Sequence, residues 1–292
     1  MTENNQARLA EYVRHIETHL SGCFDWYEKE PQAVLFDSMR YSLLAGGKRL
    51  RPVFVYDFCR MCGGAWEKAV HFAAAVEMVH TYSLIHDDLP SMDNDDYRRG
   101  RLTNHKVYGE AMAILAGDAM LTSAFASVAQ ADLPAETRIR GVETLSRCAA
   151  ECGMVGGQVL DIMSEQRECT EQEILDIQSR KTGALIKAAC VLGVLAGNGS
   201  EEQLKAAAAF ADHLGLAFQI RDDMLDVIGD AATLGKATGM DGAKNTFVRL
   251  WGLEKCEELV RTHTELALSA LGAFPETEFM TALAVSLTNR EK

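Results

Sequence analysis

Nearly every segment of this 292-residue chain repeats its apolar residues at helical spacing, which leaves little sequence for a sheet. Leu9, Val13, Ile16 and Leu20 form one stripe, and Val34, Leu35, Met39, Leu43 and Leu44 form another. Thr170-x-x-Glu173 and Ser200-x-x-Gln203 read as capping boxes opening long helices. Asn198-Gly199 reads as the stop before the second of these, the glycine taking the left-handed conformation. Pro31, Pro52, Pro90, Pro134 and Pro275 fall at breaks in the pattern. The one strand-like run, Val53 to Tyr56, is short and isolated. With no low-complexity linker and no solenoid repeat, the expected fold is all-α, a single domain over residues 1–292.

Composition excludes several functions. A hydrophobic share of 48% with only 5 prolines allows a substantial core. The net charge of −13 argues against general binding to nucleic acid or to anionic membranes. No apolar run is expected to span a bilayer; the best candidate, Ala184 to Ala196, is short and carries Lys187. The polar N-terminus shows no secretory signal, so the chain reads as cytoplasmic. Cys59-x-x-Cys62 has no second pair to complete a four-ligand zinc site, and the 8 cysteines read as core thiols.

Against this apolar background stand two acidic clusters. The first, HDDLPSMDNDDYRRGR, places Asp87, Asp88, Asp93, Asp95 and Asp96 just ahead of three arginines. It interrupts a core-like pattern of Phe72, Val76, Val79 and Leu84, which argues against a merely solvated charge run. Pro90 should break the helix and let Asp93 bend back towards Asp87. The second cluster, Asp222-Asp223-x-x-Asp226, puts Asp222 and Asp226 on one helix face, with Gln219 near it. Carboxylates on largely apolar helices are costly to bury alone, and a hard divalent cation such as magnesium compensates them. The echo between the clusters points to two facing acidic helices.

Cations supply the complement. Gly46-Gly47-Lys48-Arg49-Leu50-Arg51 is a glycine turn with three cations in four residues, and Arg98-Arg99-Gly100-Arg101 is a second. Lys181-Thr182-Gly183 and Lys236 add further donors. Guanidinium forks suit phosphate oxygens, and glycine permits close backbone approach. The Walker pattern is missing, which argues against ATP hydrolysis. Magnesium ligands and cations on an apolar helical scaffold suggest a substrate with a diphosphate head and a hydrocarbon tail.

The motifs GGKRLRP, HDDLPSMD, RRGRLTNH, KTGALI, FQIRDDMLD and LGKATGMD, in this order, resemble the trans-prenyltransferases of the polyprenyl synthase family. Within it they are most similar to the bacterial farnesyl diphosphate synthases. The resemblance implies an isoprenoid-synthase-type helical bundle around a central cavity, assembled as a homodimer. It also implies magnesium, three ions per active site, on Asp87, Asp88, Asp93, Asp222, Asp223 and Asp226. Gly47, Lys48, Arg51, His80 and Arg99 match the site for isopentenyl diphosphate. Arg98, Lys181, Thr182, Gln219 and Lys236 match the allylic diphosphate site, with Lys181, Thr182 and Gln219 facing the allylic cation. The implied reaction is ionisation, condensation and elimination, with the departed diphosphate as proton acceptor.

In this resemblance Tyr82, five residues before Asp87, with small Ser83 beside it, marks an enzyme that stops at farnesyl. Simple core packing is the other reading of Tyr82. Asp161 has two readings as well, a member of a magnesium–water network or a satisfied buried carboxylate. The chain departs from the family pattern at Leu102, where proline is usual, and in a shortened segment from Asp241 to Lys244 followed by Phe247. Rival functions are a longer-chain synthase and a non-catalytic regulatory subunit. The latter is expected to lack one acidic motif, and both are present here.

Overall fold

The computed structural model describes residues 1–24, 29–165, 167–234 and 246–290. Its helices begin with α1 (Glu3–Gly22), α2 (Ala33–Leu43), α3 (Leu50–Met61), α4 (Val70–Asp87), α5 (Asn104–Tyr108) and α6 (Glu110–Gln130). They continue with α7 (Ala135–Ala149), α8 (Met154–Ser164), α9 (Glu171–Gln178), α10 (Ala184–Ala196), α11 (Glu201–Leu234), α12 (Phe247–Ala270) and α13 (Glu278–Thr288). Among the described residues the strands are β1 (Tyr97–Arg98) and β2 (Arg101–Leu102), a two-stranded antiparallel ribbon. Arg99 and Gly100 turn it with φ of 52° and 74°, the paired left-handed residues that match ribbon twist. The fold is the expected all-α bundle.

Its central element is α4, buried on nearly every side through Phe72, Val76, Val79 and Ile85 and packed against α1, α2, α3, α6, α7 and α10. A helix apolar all round has to be enclosed by others. On α10, Gly193 permits a close crossing with α3: a β-carbon there would lie 2.5 Å from the Val55 carbonyl oxygen. The capping boxes form as expected. Thr170 and Glu173 satisfy each other's backbone amides, and so do Ser200 and Gln203.

Four expectations need correction. Val53 to Tyr56 lies within α3, because a short buried apolar run does not separate strand from helix by period. The left-handed residue after α10 is Asn198 (φ 54°), while Gly199 is needed for space: its β-carbon would lie 2.5 Å from Val194 Cγ1. By length and composition α6 is apolar enough to cross a membrane, contrary to the expectation that no run was. Here it packs along α2, α4 and α7 and buries Ala113, Ala116, Gly117, Met120 and Ala124. Cys152 is exposed and so is no core thiol, whereas Cys59, Cys169, Cys190 and Cys256 are buried.

One buried ion cluster ties the elements together. Arg49, left-handed at φ 48° where α3 begins, donates through Nε to Glu17 on α1 and through Nη1 to Glu77 on α4, both at 2.6 Å. Its Nη2 donates to the Leu43 carbonyl at the end of α2 (2.7 Å). Removing one partner of such a buried cluster strands the remaining charge. Glu77→Ala is therefore expected to destabilise the protein by about 3 kcal/mol, read as a lowered urea midpoint.

Candidate active site

The first acidic motif sits where α4 ends. Pro90 stops the helix, and the following turn folds back so that the Asp93 amide donates to the Asp87 carbonyl at 2.9 Å. Asp93 thereby comes close enough to Asp87 for like-charge repulsion. Burial, with Asp93 and Asp88 adding to it, raises the Asp87 carboxyl to about 6 against the opposing pull of Lys181 and Arg98. Asp88 is nearly inaccessible and accepts from Arg98 Nε at 2.6 Å. Asp95 and Asp96 are exposed; Asp95 pairs with Arg98 (3.5 Å) and Asp96 with Lys106 (2.7 Å). The acidic run thus divides into an inward part and a solvated part.

On one side of α4 the glycine turn meets the ribbon. Gly47, Lys48, Arg51, His80 and Arg99 line one cavity of about 570 Å³. Gly47 has φ 137°, and a β-carbon on it would lie 2.9 Å from Arg99 Cζ, so glycine makes room for that guanidinium. Arg99 Nη1 donates to the Gly46 carbonyl. Arg51 Nε is buried with no hydrogen-bond partner among the described residues, which is costly unless an anion completes it. Burial, then Arg51, Arg99, Arg49 and Arg98, drives the His80 imidazole far below its ordinary value, so it is neutral at pH 7.

On the other side lies a π-helical turn, Ser179–Gly183, between α9 and α10. Such turns widen the backbone and are frequent at functional sites. Gly157 of α8 lets the turn approach: a β-carbon there would be 2.2 Å from the Lys181 amide nitrogen. Lys181 Nζ donates to Asp161 Oδ2 at 2.6 Å. Thr182 Oγ1 donates to Gln219 Oε1 (3.4 Å), and Gln219 Nε2 donates to Asp223 Oδ1 (3.2 Å). Asp223 Oδ2 accepts from the Phe247 amide at the start of α12 (2.8 Å). Both oxygens of Asp223 are therefore engaged by the protein. Asp222 is raised by burial and by Asp226, with Arg290 and Lys48 opposing. Arg290 pairs with Asp222 while lying over the Phe218 ring, 4.2 Å from its centroid. Asp226 is exposed one turn along α11.

Below the first motif opens a second cavity of about 480 Å³. Arg51, His80, Asp87, Lys181 and Thr182 form its polar part, while Tyr82, Leu89, Met154 and Leu185 contribute to its apolar part. Tyr82 is only 6% exposed, and burial pushes its phenol up to about 12. Arg51 and His80 belong to both cavities, so a cationic chamber and an apolar one share a wall.

The five residues matched to isopentenyl diphosphate thus share one cavity, and Asp87, Lys181, Thr182, Tyr82 and Ser83 share the other. Asp222, Asp223, Asp226 and Gln219 lie outside the second lining; Gln219, and Asp223 through it, connect to it at Thr182. Lys236, Asp241 and Lys244 fall outside the described residues. Sequence reasoning did not single out Arg49 from its cationic neighbours or Gly157 from other helical glycines. A glycine inside a helix is the available signal for the second, since it costs stability unless another group needs the space.

The sequence profile of the polyprenyl synthetase family matches residues 32–269. The chain is 44% identical to a farnesyl diphosphate synthase of Geobacillus stearothermophilus over 264 residues, 89% of this chain and 88% of that protein. It is 46% identical to a geranylgeranyl diphosphate synthase of Cyanophora paradoxa over 226 residues, 76% of this chain and 75% of that one. Its backbone matches the crystal structure of an FPP/GFPP synthase from Zymomonas mobilis with a TM-score of 0.87 and 32% identity, over 97% of this chain and 98% of the other.

The raised carboxyl of Asp87 has a consequence for stability. An acid that holds its proton more tightly folded than unfolded works against the fold once ionised. The stability it allows is fullest below the ordinary value of 3.8 and is lost as the pH rises through about 6. Solvent reaches this group, so the cost shrinks to about 1 kcal/mol. In chelator-treated protein, Asp87→Asn is expected to raise the thermal midpoint at neutral pH. The gain should fade as the pH is lowered towards 4, as calorimetry at several pH values will show.

Proposed function

The chain belongs to the polyprenyl synthetase family and is a trans-prenyltransferase, and we propose that it makes farnesyl diphosphate. It joins isopentenyl diphosphate to dimethylallyl or geranyl diphosphate in a 1′-4 trans linkage and stops at C15. The observation that carries this reading is the wall shared by a cationic cavity and an apolar one floored in part by Tyr82. The whole reaction takes place in one domain spanning residues 1–292, working in the cytoplasm.

Isopentenyl diphosphate occupies the cavity of Gly47, Lys48, Arg51, His80 and Arg99, where its oxygens complete the unpartnered Arg51 Nε. A neutral His80 donates a hydrogen bond there without adding charge. The allylic diphosphate lies between the acidic motifs, beside Lys181 and Arg98. Asp87 and Asp222, partly desolvated, and the exposed Asp93 and Asp226 beside them offer hard oxygens that suit magnesium and would hold it. When bound, three such ions supply positive charge against the diphosphates. Asp88 orients Arg98, and Asp223 orients Gln219. As the allylic bond ionises, Lys181 and Arg98 take up charge developing on the leaving diphosphate. The Thr182 hydroxyl and Gln219 amide oxygens face the cation. The isopentenyl double bond then attacks, and the departed diphosphate accepts the proton. Tyr82 blocks further growth.

Ile114 on α6 and Val155, Val159 and Ile162 on α8 line the apolar cavity and are exposed on its open side. A second copy of the chain covering that face closes the cavity, and the protein is a homodimer. Sedimentation equilibrium is expected to give twice the chain mass; a monomer at micromolar concentration rejects this arrangement.

Incubation with both substrates and magnesium is expected to give mainly C15 product by chromatography. A C20 product would reject Tyr82 as the stop, and no product would favour the regulatory reading. Asp87→Ala and Asp222→Ala are each expected to lower turnover by roughly 10²-fold or more while helical circular dichroism is kept. Chelation should abolish turnover, and added magnesium should restore it.

A further inference from the structure

One glycine in α6 has no backbone reason to be a glycine. Gly117 is buried within a regular helix, and alanines at 113, 116 and 119 fill the neighbouring small positions. Glycine is a poor helix former, so such a position calls for a packing cause. The cause is His86. A β-carbon on Gly117 would fall 2.1 Å from His86 Nε2, so the imidazole fills the space a methyl group would take. There Nε2–H donates to the Ile114 carbonyl oxygen at 3.1 Å. The ring meets Tyr82 edge-on, centroids 5.7 Å apart and planes at 85°. Tyr82, His86 and Ile114 all line the apolar cavity.

We propose that His86, seated in the Gly117 notch, is a positioning residue that holds Tyr82 as the floor of the cavity and so helps set product length. This rests on the prenyl-chain reading above, in which the growing hydrocarbon descends towards Tyr82 and is stopped there. The imidazole is bounded by the Ile114 carbonyl, the backbone of α6 and the Tyr82 ring. The ring also lines the apolar cavity. Filling the notch therefore pushes the ring into the cavity, and removing the ring releases Tyr82 into the vacated space. The two changes act in opposite directions.

The test is product analysis of purified variants beside the wild type, with geranyl and isopentenyl diphosphates and then with dimethylallyl diphosphate. His86→Ala is expected to move the main product one isoprene unit longer, from C15 to C20. Gly117→Ala is expected to move it shorter, so that geranyl diphosphate accumulates from dimethylallyl diphosphate. His86→Gln, whose amide can still donate to the Ile114 carbonyl, is expected to restore most of the wild-type distribution. In a Tyr82→Ala background, adding His86→Ala should lengthen the product no further, because the first acts through the second. An unchanged product ratio in His86→Ala, whatever its turnover, overturns the proposal. That result also decides the matter if Gly117→Ala does not fold. The wild-type product tests the farnesyl reading separately: C20 from the wild type rejects that reading, while the shift between wild type and His86→Ala still decides this one.

Discussion

The Arg49 cluster is the contact on which the rest of the site depends. Burying a guanidinium is unfavourable, and the two carboxylates and one carbonyl around it offset that cost only when α1, α2 and α4 are all in place. The contact also fixes direction. Because Arg49 turns inward in a left-handed conformation, the flanking Lys48 is left exposed and Arg51 is carried to the cavity wall. It anchors α4 through Glu77 as well, and α4 carries His80, Tyr82, His86 and Asp87. One ion cluster therefore sets the position of residues that line both cavities.

Around that anchor the cleft also gathers like charges, besides the pairs Arg98–Asp88 and Lys181–Asp161. Arg51, Arg99 and His80 crowd one wall, while Asp87 and Asp93 crowd the end of α4. Neither arrangement favours the empty fold. In both, the repulsion is already present and counter-ions of opposite sign would relieve it. Stability given up here is repaid by the apolar packing of α3, α4 and α10 around it, where Val53, Phe58, Val76 and Leu192 are fully enclosed.

The sequence was most legible where function depends on local spacing. The turn at Pro90 and the capping boxes at Thr170 and Ser200 are local events, and they were read correctly from a few residues each. Long-range partners were not legible in the same way. Helical spacing put Asp222 and Asp226 on one face, yet it said nothing of the Arg290 that pairs with Asp222 across 68 residues. It ranked Asp88 and Asp223 with their neighbours, whereas Arg98 and the Phe247 amide occupy them. The run Val53 to Tyr56 looks strand-like because burial on all sides erases the period that separates helix from strand, and only its shortness and isolation argue against a sheet. The helical glycines Gly117 and Gly157 mark close approach, but a single sequence does not say what approaches them.

The bond from the Phe247 amide to Asp223 joins the second acidic motif to the first turn of α12. An alanine scan of the six motif aspartates therefore mixes two kinds of experiment. At Asp222 it removes a carboxylate whose nearest protein partner is a side chain; at Asp223 it also unfastens the start of a helix and leaves a buried amide without an acceptor. Equal losses of activity at the two positions would have different origins. Asparagine, which keeps an acceptor oxygen for the amide, is the substitution that separates them.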